Sequence, residues 1–280
     1  MLSPVELIKK LSQPLAPEPT GIEPHLPRLA GIQALVFDIY GTLVVSGSGD
    51  IGVTDAEQKG TAMRSILRDF QIEIPDQESL SDRFVELITQ DHARSRRNGI
   101  EHPEVEIRDI WGTLLGSEDS ALLEATATAY ECTSNPVWPM PGAEELLATA
   151  HRDGLTLGIV SNAQFYTPLL FEAFFGASLA RIGFDPDLCF FSYQFKQAKP
   201  GDWLYEQLRD ALAAREIDPG AVLYVGNDAL KDIHPAATLG FRTALFAGDR
   251  RSYRPRPEMT ALRPPDAVIT ELGQLSQILG

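Results

Sequence analysis

Residues 34–43 read Ala-Leu-Val-Phe-Asp-Ile-Tyr-Gly-Thr-Leu, and this stretch carries the strongest signal for the fold. A short apolar run that ends in Asp38 predicts a buried parallel strand with a polar side chain at its carboxyl end. Ligands of open α/β sheets bind at that edge. Gly41 permits a tight turn whose backbone amides face an anion, and a carboxylate held there can attack phosphorus or carbon to form an ester. Taken alone, the pattern also fits a strand followed by a turn that the aspartate caps.

The rest of the chain supplies further strands in alternation with helices. Helical stretches, one of them over about residues 143–152, separate most of these strands. That alternation predicts the α/β class with a doubly wound parallel sheet. The predicted strands after the first are Leu155–Val160, Leu188–Ser192, Ala221–Val225, Thr243–Phe246 and Ala267–Ile269.

Two regions differ from this core in composition and in hydrophobic pattern. Residues 1–30 are rich in proline, and only Val5–Leu11 looks helical, so we expect an extended arm that lies on the core or is loose in solvent. Segments near 55–70, 78–98, 103–115 and 119–132 show helical spacing with few strand signals. We therefore expect a core domain over 31–48 and 136–280, with a helical domain over 49–135 inserted into it.

Composition bounds the possible partners. The 280 residues carry a formal net charge of −15, which disfavours nucleic acid and anionic membrane surfaces as partners. A phosphorylated substrate would need a local cation to offset this charge. Cys132 and Cys189 show no metal-ligand spacing and predict a reducing compartment. With no signal-peptide pattern near Met1 and no run of ~18 apolar residues, we expect a soluble, cytoplasmic protein, a monomer or homodimer, that acts on a small, anionic molecule.

Polar residues follow three of the later strands, so they can converge with Asp38 at one edge of the sheet. Ser161, with Asn162 beside it, offers a hydroxyl that can bond an oxygen of a transferring group. Lys199 can balance both the Asp38 carboxylate and developing negative charge. Beyond the fourth strand, the acidic oxygens of Gly226-Asn-Asp-Ala-Leu-Lys-Asp232 suit a hard Mg²⁺ ion. Singly, these residues are equally compatible with a helix cap or a surface lysine.

In their order along the chain, the segments around Asp38, Ser161 and Lys199 and the segment 226–232 resemble the four motifs of the haloacid dehalogenase-like superfamily. The resemblance extends over about residues 38–247. The resemblance implies a Rossmann-like core with a helical cap inserted after the first motif. It also implies that Asp38 is the nucleophile and that Ser161 and Lys199 assist it, while Gly41, Thr42 and Asn162 contact the substrate. The implied Mg²⁺ ligands are Asp38, the main-chain carbonyl of Tyr40, Asn227, Asp228 and Asp232.

Two departures divide the possible activities. Most phosphatases of the superfamily carry an acid–base aspartate where this chain has Tyr40, and a tyrosine, with an ordinary pKa of about 10, is a poor base. The 2-haloacid dehalogenase branch has tyrosine there. The glycine-led fourth motif is instead typical of the phosphatases, although its first acidic position is Asn227. The charged metal ligand is then expected to be Asp228.

The predicted cap offers two sets of basic residues. A dehalogenase needs an arginine to bind the leaving halide, and Arg64 and Arg68 lie at i, i+4 spacing on one predicted helix. Both also fit a solvated helix face. His92 and Arg96, again at i, i+4, lie in the densest basic segment and are candidates for contacting a substrate anion. A salt-bridged surface explains that segment equally well.

Three hypotheses follow. The leading one is a Mg²⁺-dependent phosphatase of a small phosphorylated metabolite, with Asp38 attacking phosphorus and the base for the second step unassigned. The second is a metal-independent 2-haloacid dehalogenase, which Tyr40 supports. The third is a non-catalytic binding protein, which the departures at Tyr40 and Asn227 motivate and the intact Asp38, Ser161 and Lys199 oppose.

Overall fold

The computed structural model describes residues 1–48, 56–72 and 79–279, with the side chains of residues 56–59 left out. A six-stranded parallel sheet has the strand order β5-β4-β1-β6-β7-β8, and a two-stranded antiparallel ribbon pairs β2 with β3. The predicted fold class is confirmed. The strands are β1 (Ala34–Phe37), β2 (Val44–Ser46), β3 (Val137–Pro139), β4 (Thr156–Ser161), β5 (Phe184–Phe191), β6 (Val222–Gly226), β7 (Arg242–Phe246) and β8 (Ala267–Ile269).

Helices cover both faces of the sheet. In addition to the α-helices, a π-helix spans Ala229–Ile233, and short 3₁₀ helices span Pro219–Ala221 and Leu272–Gln274. The α-helices are α1 (Pro4–Leu11), α2 (Ala56–Asp69), α3 (Leu80–Arg97), α4 (Ile107–Leu115), α5 (Ser120–Ser134), α6 (Ala143–Arg152), α7 (Thr167–Phe175), α8 (Leu179–Ile182), α9 (Ser192–Phe195), α10 (Trp203–Ala213), α11 (His234–Thr238) and α12 (Leu275–Ile278). Among the described residues, no helix combines the length and apolar character needed to cross a membrane.

The central strands are apolar on both sides because helices bury both faces. Successive residues of β1 alternate between two hydrophobic clusters: Leu35 and Phe37 belong to one, and Ala34 and Val36 to the other. All four side chains are fully buried. The sheet therefore provides a rigid support for the loops at its carboxyl edge.

Register brings the polar residues together at that edge. Phe37 of β1 lies opposite Ile159 of β4 and Val225 of β6, and the backbone N–H of Asp38 donates to the carbonyl of Val225 at 2.9 Å. Because the three strands are parallel, the residues that follow them, with Ser161 at the end of β4, emerge on the same side.

Helices α2–α5 are inserted between β2 and β3, and we call them the cap helices. Their apolar residues form a hydrophobic cluster with an aromatic centre at Phe84, Trp111 and Tyr130, where ring centroids are 5.1–5.6 Å apart. The ribbon of β2 and β3 joins this insert to the core and was not predicted. The predicted cap boundary at residue 49 lies outside the described residues, so the domain boundaries stay predictions.

The N-terminal arm lies on the core. Helix α1 begins with a capping box between Ser3 and Glu6, buries Leu7 and Ile8, and packs against both α5 and α7. Beyond it, Thr20 Oγ1 donates to the carbonyl of Ala247 at 2.6 Å. Residue 25 then pairs with residue 268 of β8, and residue 29 with residue 279.

Candidate active site

Asp38 lies at the carboxyl end of β1 with only 6% of its surface exposed. Its Oδ1 accepts hydrogen bonds from Ser161 Oγ at 2.9 Å and from Lys199 Nζ at 2.7 Å. Since both donors bind the same oxygen, they fix the carboxylate plane and leave Oδ2 without a hydrogen bond to any described residue. This arrangement suits a nucleophile that attacks through Oδ2.

Lys199 joins Asp38 to Asp232. Its Nζ lies 2.6 Å from Asp232 Oδ1, and its side chain is almost completely buried. Burial lowers the pKa of Lys199, but the charges of Asp232 and Asp38 raise it by more, so the ammonium stays protonated. Burial raises the pKa of Asp232 to about 6 against the opposing effect of Lys199. The cluster thus sets two carboxyl groups against one buried ammonium.

Asp232 also shapes the loop that follows β6. Its Oδ2 accepts the backbone N–H groups of Asn227 at 3.0 Å and Asp228 at 2.9 Å. Both oxygens of Asp232 are therefore engaged, one by Lys199 and one by the backbone. Asp232 holds the loop and the lysine in place.

Asn162, a predicted substrate contact, supports the backbone of Lys199. Its Oδ1 accepts the backbone N–H of Lys199 at 2.7 Å, and its Nδ2 donates to the Lys199 carbonyl at 3.1 Å. Tyr224, which the sequence reasoning missed, lies beneath the ammonium at 3.4 Å and donates to the Val160 carbonyl at 2.9 Å. A tyrosine within an apolar strand gives no sequence signal for such a position.

Tyr40 is partly buried, and its hydroxyl contacts the start of α7. The phenolic oxygen is 3.0 Å from Thr167 Oγ1 at the start of α7. Burial raises the pKa of Tyr40 well above its ordinary value, and the nearby charge of Glu131 raises it further. The hydroxyl therefore stays protonated at neutral pH and is not available as a general base.

Asp228 faces away from the nucleophile. Its Oδ1 accepts the backbone N–H groups of Leu230 at 2.8 Å and Lys231 at 3.2 Å, so it caps the π-helix. Its Oδ2 lies 2.8 Å from Arg256 Nη2. Burial raises the pKa of Asp228, but Arg256 and the two amides outweigh burial and hold this pKa below its usual value.

Asn227 and Gly41 pack against a segment that sequence reasoning did not single out, residues 249–256. Asn227 Nδ2 donates to the carbonyl of Ser252 at 2.6 Å, and its Oδ1 accepts from Thr42 Oγ1 at 3.4 Å. Gly41 has φ +80°, and a Cβ there would lie 2.5 Å from Ser252 Cβ. Glycine is thus required both by the backbone conformation and by the close approach.

The oxygens predicted to hold Mg²⁺ have different surroundings. Among the described residues, no group of three or more His, Cys, Asp and Glu side chains is placed to hold a metal ion. The carboxylates of Asp228 and Asp232 are engaged by protein donors. Of the other predicted ligands, the Asn227 amide oxygen accepts one long hydrogen bond from Thr42, and Asp38 Oδ2 is the carboxylate oxygen with no hydrogen bond from a described residue.

A cavity of about 620 Å³ is lined by residues of the cap helices and of the core, including Tyr40, which is two residues after the nucleophile in sequence. Tyr40 and the Ala163-Gln164 pair that follows Ser161-Asn162 form part of its wall, and His92 forms another part. Three of the other predicted cap residues, Arg64, Arg68 and Arg96, are exposed and do not line it. In this structure, then, the arginine pair on α2 lies on the solvent face.

Comparisons with known proteins agree with this geometry. The model of a family described as haloacid dehalogenase-like hydrolase matches residues 32–240, and no curated protein sequence is a significant match. The crystal structure of a 2-haloacid dehalogenase from Pseudomonas syringae pv. Tomato DC3000 is similar with a TM-score of 0.54 at 19% identity, covering 88% of this chain and 97% of that chain. That of a HAD phosphatase from Thermococcus onnurineus gives the same TM-score, identity and coverages.

At such identities the structural likeness concerns the fold. The family model carries more, because it spans well over half of the chain and includes Asp38, Ser161, Lys199 and the loop that holds Asp232. We conclude that the protein belongs to the haloacid dehalogenase-like hydrolase family.

Proposed function

We propose that the protein is a hydrolase in which Asp38 forms an ester with a substrate whose leaving group departs without a proton, and that this substrate is a 2-haloacid. The observation that carries the proposal is the hydroxyl of Tyr40, which lies within hydrogen-bond distance of Thr167. It occupies the position at which phosphatases of the superfamily hold their acid–base aspartate.

The argument rests on the basicity of the leaving group. An alkoxide that leaves a phosphate monoester is a strong base and needs an acid to protonate it. A halide ion is a very weak base and leaves without a proton. Because the pKa of Tyr40 is raised by burial, its phenol is a poor acid as well as a poor base. The residue is therefore compatible with halide departure and poorly suited to alkoxide departure.

The balance of charged groups also favours a haloacid over a phosphate monoester. Two carboxyl groups, those of Asp38 and Asp232, share one buried cation, Lys199, so a phosphate dianion would need a further cation such as a metal ion. A neutral carbon centre next to a single carboxylate meets less repulsion. Lys199 and Ser161 hold Oδ1, and Oδ2 attacks the carbon while the carbon–halogen bond breaks. Water then cleaves the ester and releases a 2-hydroxy acid.

The second candidate is a Mg²⁺-dependent phosphatase acting on a small phosphorylated metabolite. The glycine-led loop after β6 favours this candidate. In that loop Asp232 accepts the backbone N–H groups of Asn227 and Asp228. The loop also brings the Asn227 amide oxygen within reach of Thr42 Oγ1. The residues to hold the ion would be Asp38, the Tyr40 carbonyl and Asn227. A single carboxylate predicts weak Mg²⁺ affinity.

One experiment separates these functions. Chloride or bromide release from 2-chloropropionate and 2-bromopropionate is measured in EDTA, and phosphate release from a panel of monoesters is measured with and without Mg²⁺. Asp38→Asn is the control in both. Halide release that survives EDTA and is lost in Asp38→Asn supports the proposal. Phosphate release that needs both Mg²⁺ and Asp38 supports the second candidate instead, and no turnover of either class leaves a binding protein.

A further inference from the structure

We infer that the cavity beneath the cap helices binds an uncharged, apolar part of the substrate, so that the preferred substrate is a 2-haloacid with an aromatic or long hydrocarbon substituent. The inference rests on the proposed function for the reacting end of the molecule. It assigns the opposite end to a site built from α3, α4 and α5.

The walls of the cavity are aromatic and aliphatic. Phe84, Trp111 and Tyr130 form part of the lining, with ring centroids 5.1–5.6 Å apart, and Ile88 and Ile107 extend it. Apolar surface of this kind favours ligands that remove it from water. Cavities of about 300–1,000 Å³ accommodate ligands of drug size, so this one exceeds what a two- or three-carbon haloacid needs.

The charges of the lining exclude an anionic body. Among the described residues that line the cavity, none is a lysine or an arginine, whereas Asp82, Glu104 and Glu131 are acidic. Glu131 already accepts from Tyr166 Oη at 3.0 Å, and Glu104 from Ser192 Oγ at 2.8 Å. A phosphate or second carboxylate placed here would meet these acidic side chains and no lysine or arginine among the described lining residues.

Two buried nitrogens indicate a polar contact for the ligand within this apolar wall. Nε2 of His92 and Nε1 of Trp111 have no hydrogen-bond partner within the part of the chain that the structure describes, and both residues line the cavity. Buried polar atoms without partners are uncommon and costly. Trp111 is a donor only, so a neutral oxygen acceptor on the ligand would satisfy it.

Several residues of the cavity wall are close in sequence to the residues of the candidate active site. Tyr40 is two residues from Asp38, and Ala163 and Gln164 follow directly after Ser161-Asn162; all three of these wall residues border the cavity. A molecule with its halogen-bearing carbon at Asp38 can therefore extend its substituent past Tyr40 toward Trp111.

Binding is tested without turnover. Asp38→Asn is titrated with N-phenyl-1-naphthylamine, a neutral aromatic probe that brightens in apolar sites. Ile88→Trp narrows the cavity from α3, and Gln90→Trp adds the same side chain at an exposed position of α3 that does not line it. We expect Ile88→Trp to weaken binding at least about tenfold and Gln90→Trp to leave it unchanged. Absence of probe binding, or equal effects of the two variants, would overturn the inference.

Turnover is tested in parallel with 2-bromopropionate, 2-bromo-3-phenylpropionate and 2-bromosuccinate. We expect the phenyl compound to have the highest kcat/KM and the succinate the lowest, with Ile88→Trp raising KM for the phenyl compound alone. Probe binding that Ile88→Trp weakens, without turnover of any bromoacid, would support the site and refute the proposed reaction. Turnover with equal kcat/KM for the three would support the reaction and refute the site.

Discussion

Replacing Tyr40 by phenylalanine tests whether the Tyr40 hydroxyl has a structural or a catalytic role. The variant loses the 3.0 Å hydrogen bond between Tyr40 Oη and Thr167 Oγ1, while that Oγ1 still accepts the backbone N–H of Gln164 at 3.1 Å. A neutral hydrogen bond contributes about 0.5–1.5 kcal/mol to stability. Because Thr167 keeps one partner, we expect the free energy of unfolding to fall by about 1 kcal/mol and kcat to change by less than about threefold.

A proton carrier at this position would behave differently. Loss of a general acid or base lowers kcat by about 100- to 10,000-fold, equivalent to about 3–5 kcal/mol in the activation barrier. Urea unfolding gives the stability of Tyr40→Phe, and halide release gives its kcat. Tyr166→Phe is the matched control for stability, since it loses a hydrogen bond to the Glu131 carboxylate. A hundredfold fall in kcat for Tyr40→Phe with unchanged stability would show that the phenol takes part in the chemistry.

Three further predictions concern the charged network and the turn after the nucleophile. Lys199→Met leaves two buried carboxylates without their cation. Urea unfolding should therefore show that the free energy of unfolding falls by about 3–5 kcal/mol, and halide release should fall to background. A variant as stable as the wild type would contradict this. Arg256→Met removes the partner of Asp228 and should cost about 2 kcal/mol at pH 7. Since the pKa of Asp228 is lowered in the fold, the stability from this pair is present above about pH 4 and is lost as the pH falls through that lowered pKa, so the difference in unfolding free energy between wild type and variant should shrink as the pH falls below about 4. Gly41→Ala puts a side chain at φ +80° against Ser252. The backbone conformation alone should lower the free energy of unfolding by about 1–2 kcal/mol. Thermal unfolding followed by circular dichroism measures this loss, and the halide-release assay should show reduced activity.

The sheet could be predicted because its strands are apolar on both faces. Runs such as Ala34–Phe37 and Val222–Val225 stand out as continuous hydrophobic segments, and the structure places strands there. Strand β5 begins at Phe184 instead of Leu188, because Asp185 and Pro186 are poor strand formers that the sheet tolerates at its edge. The ribbon of β2 and β3 escaped prediction since each strand has three residues, too few to show a period.

The cluster of Asp38, Ser161 and Lys199 was predicted because each residue follows a strand that the pattern identified, and the family model spans all three. The direction of the Asp228 side chain was beyond such reasoning. Its partner Arg256 is 28 residues further along the chain, and no local pattern joins the two. The contacts of Asn227 and Gly41 with Ser252 are equally non-local. Motif order indicates which residues meet at an edge of the sheet, whereas long-range contacts decide which way each carboxylate points.

The N-terminal arm has a consequence for the timing of biosynthesis. The backbone N–H of Glu18 donates to Asp249, a residue 231 positions later, and chains grow at about 5–20 residues per second. The arm therefore waits roughly 10–50 seconds for its binding surface to be synthesised. The apolar side chains of Leu7 and Ile8, which are buried in the finished molecule, wait for a shorter time, because α1 packs against α5 and α7 and both of these helices are synthesised before Asp249. The arm therefore docks in two stages, with α1 able to pack before the segment around Glu18 finds its partner.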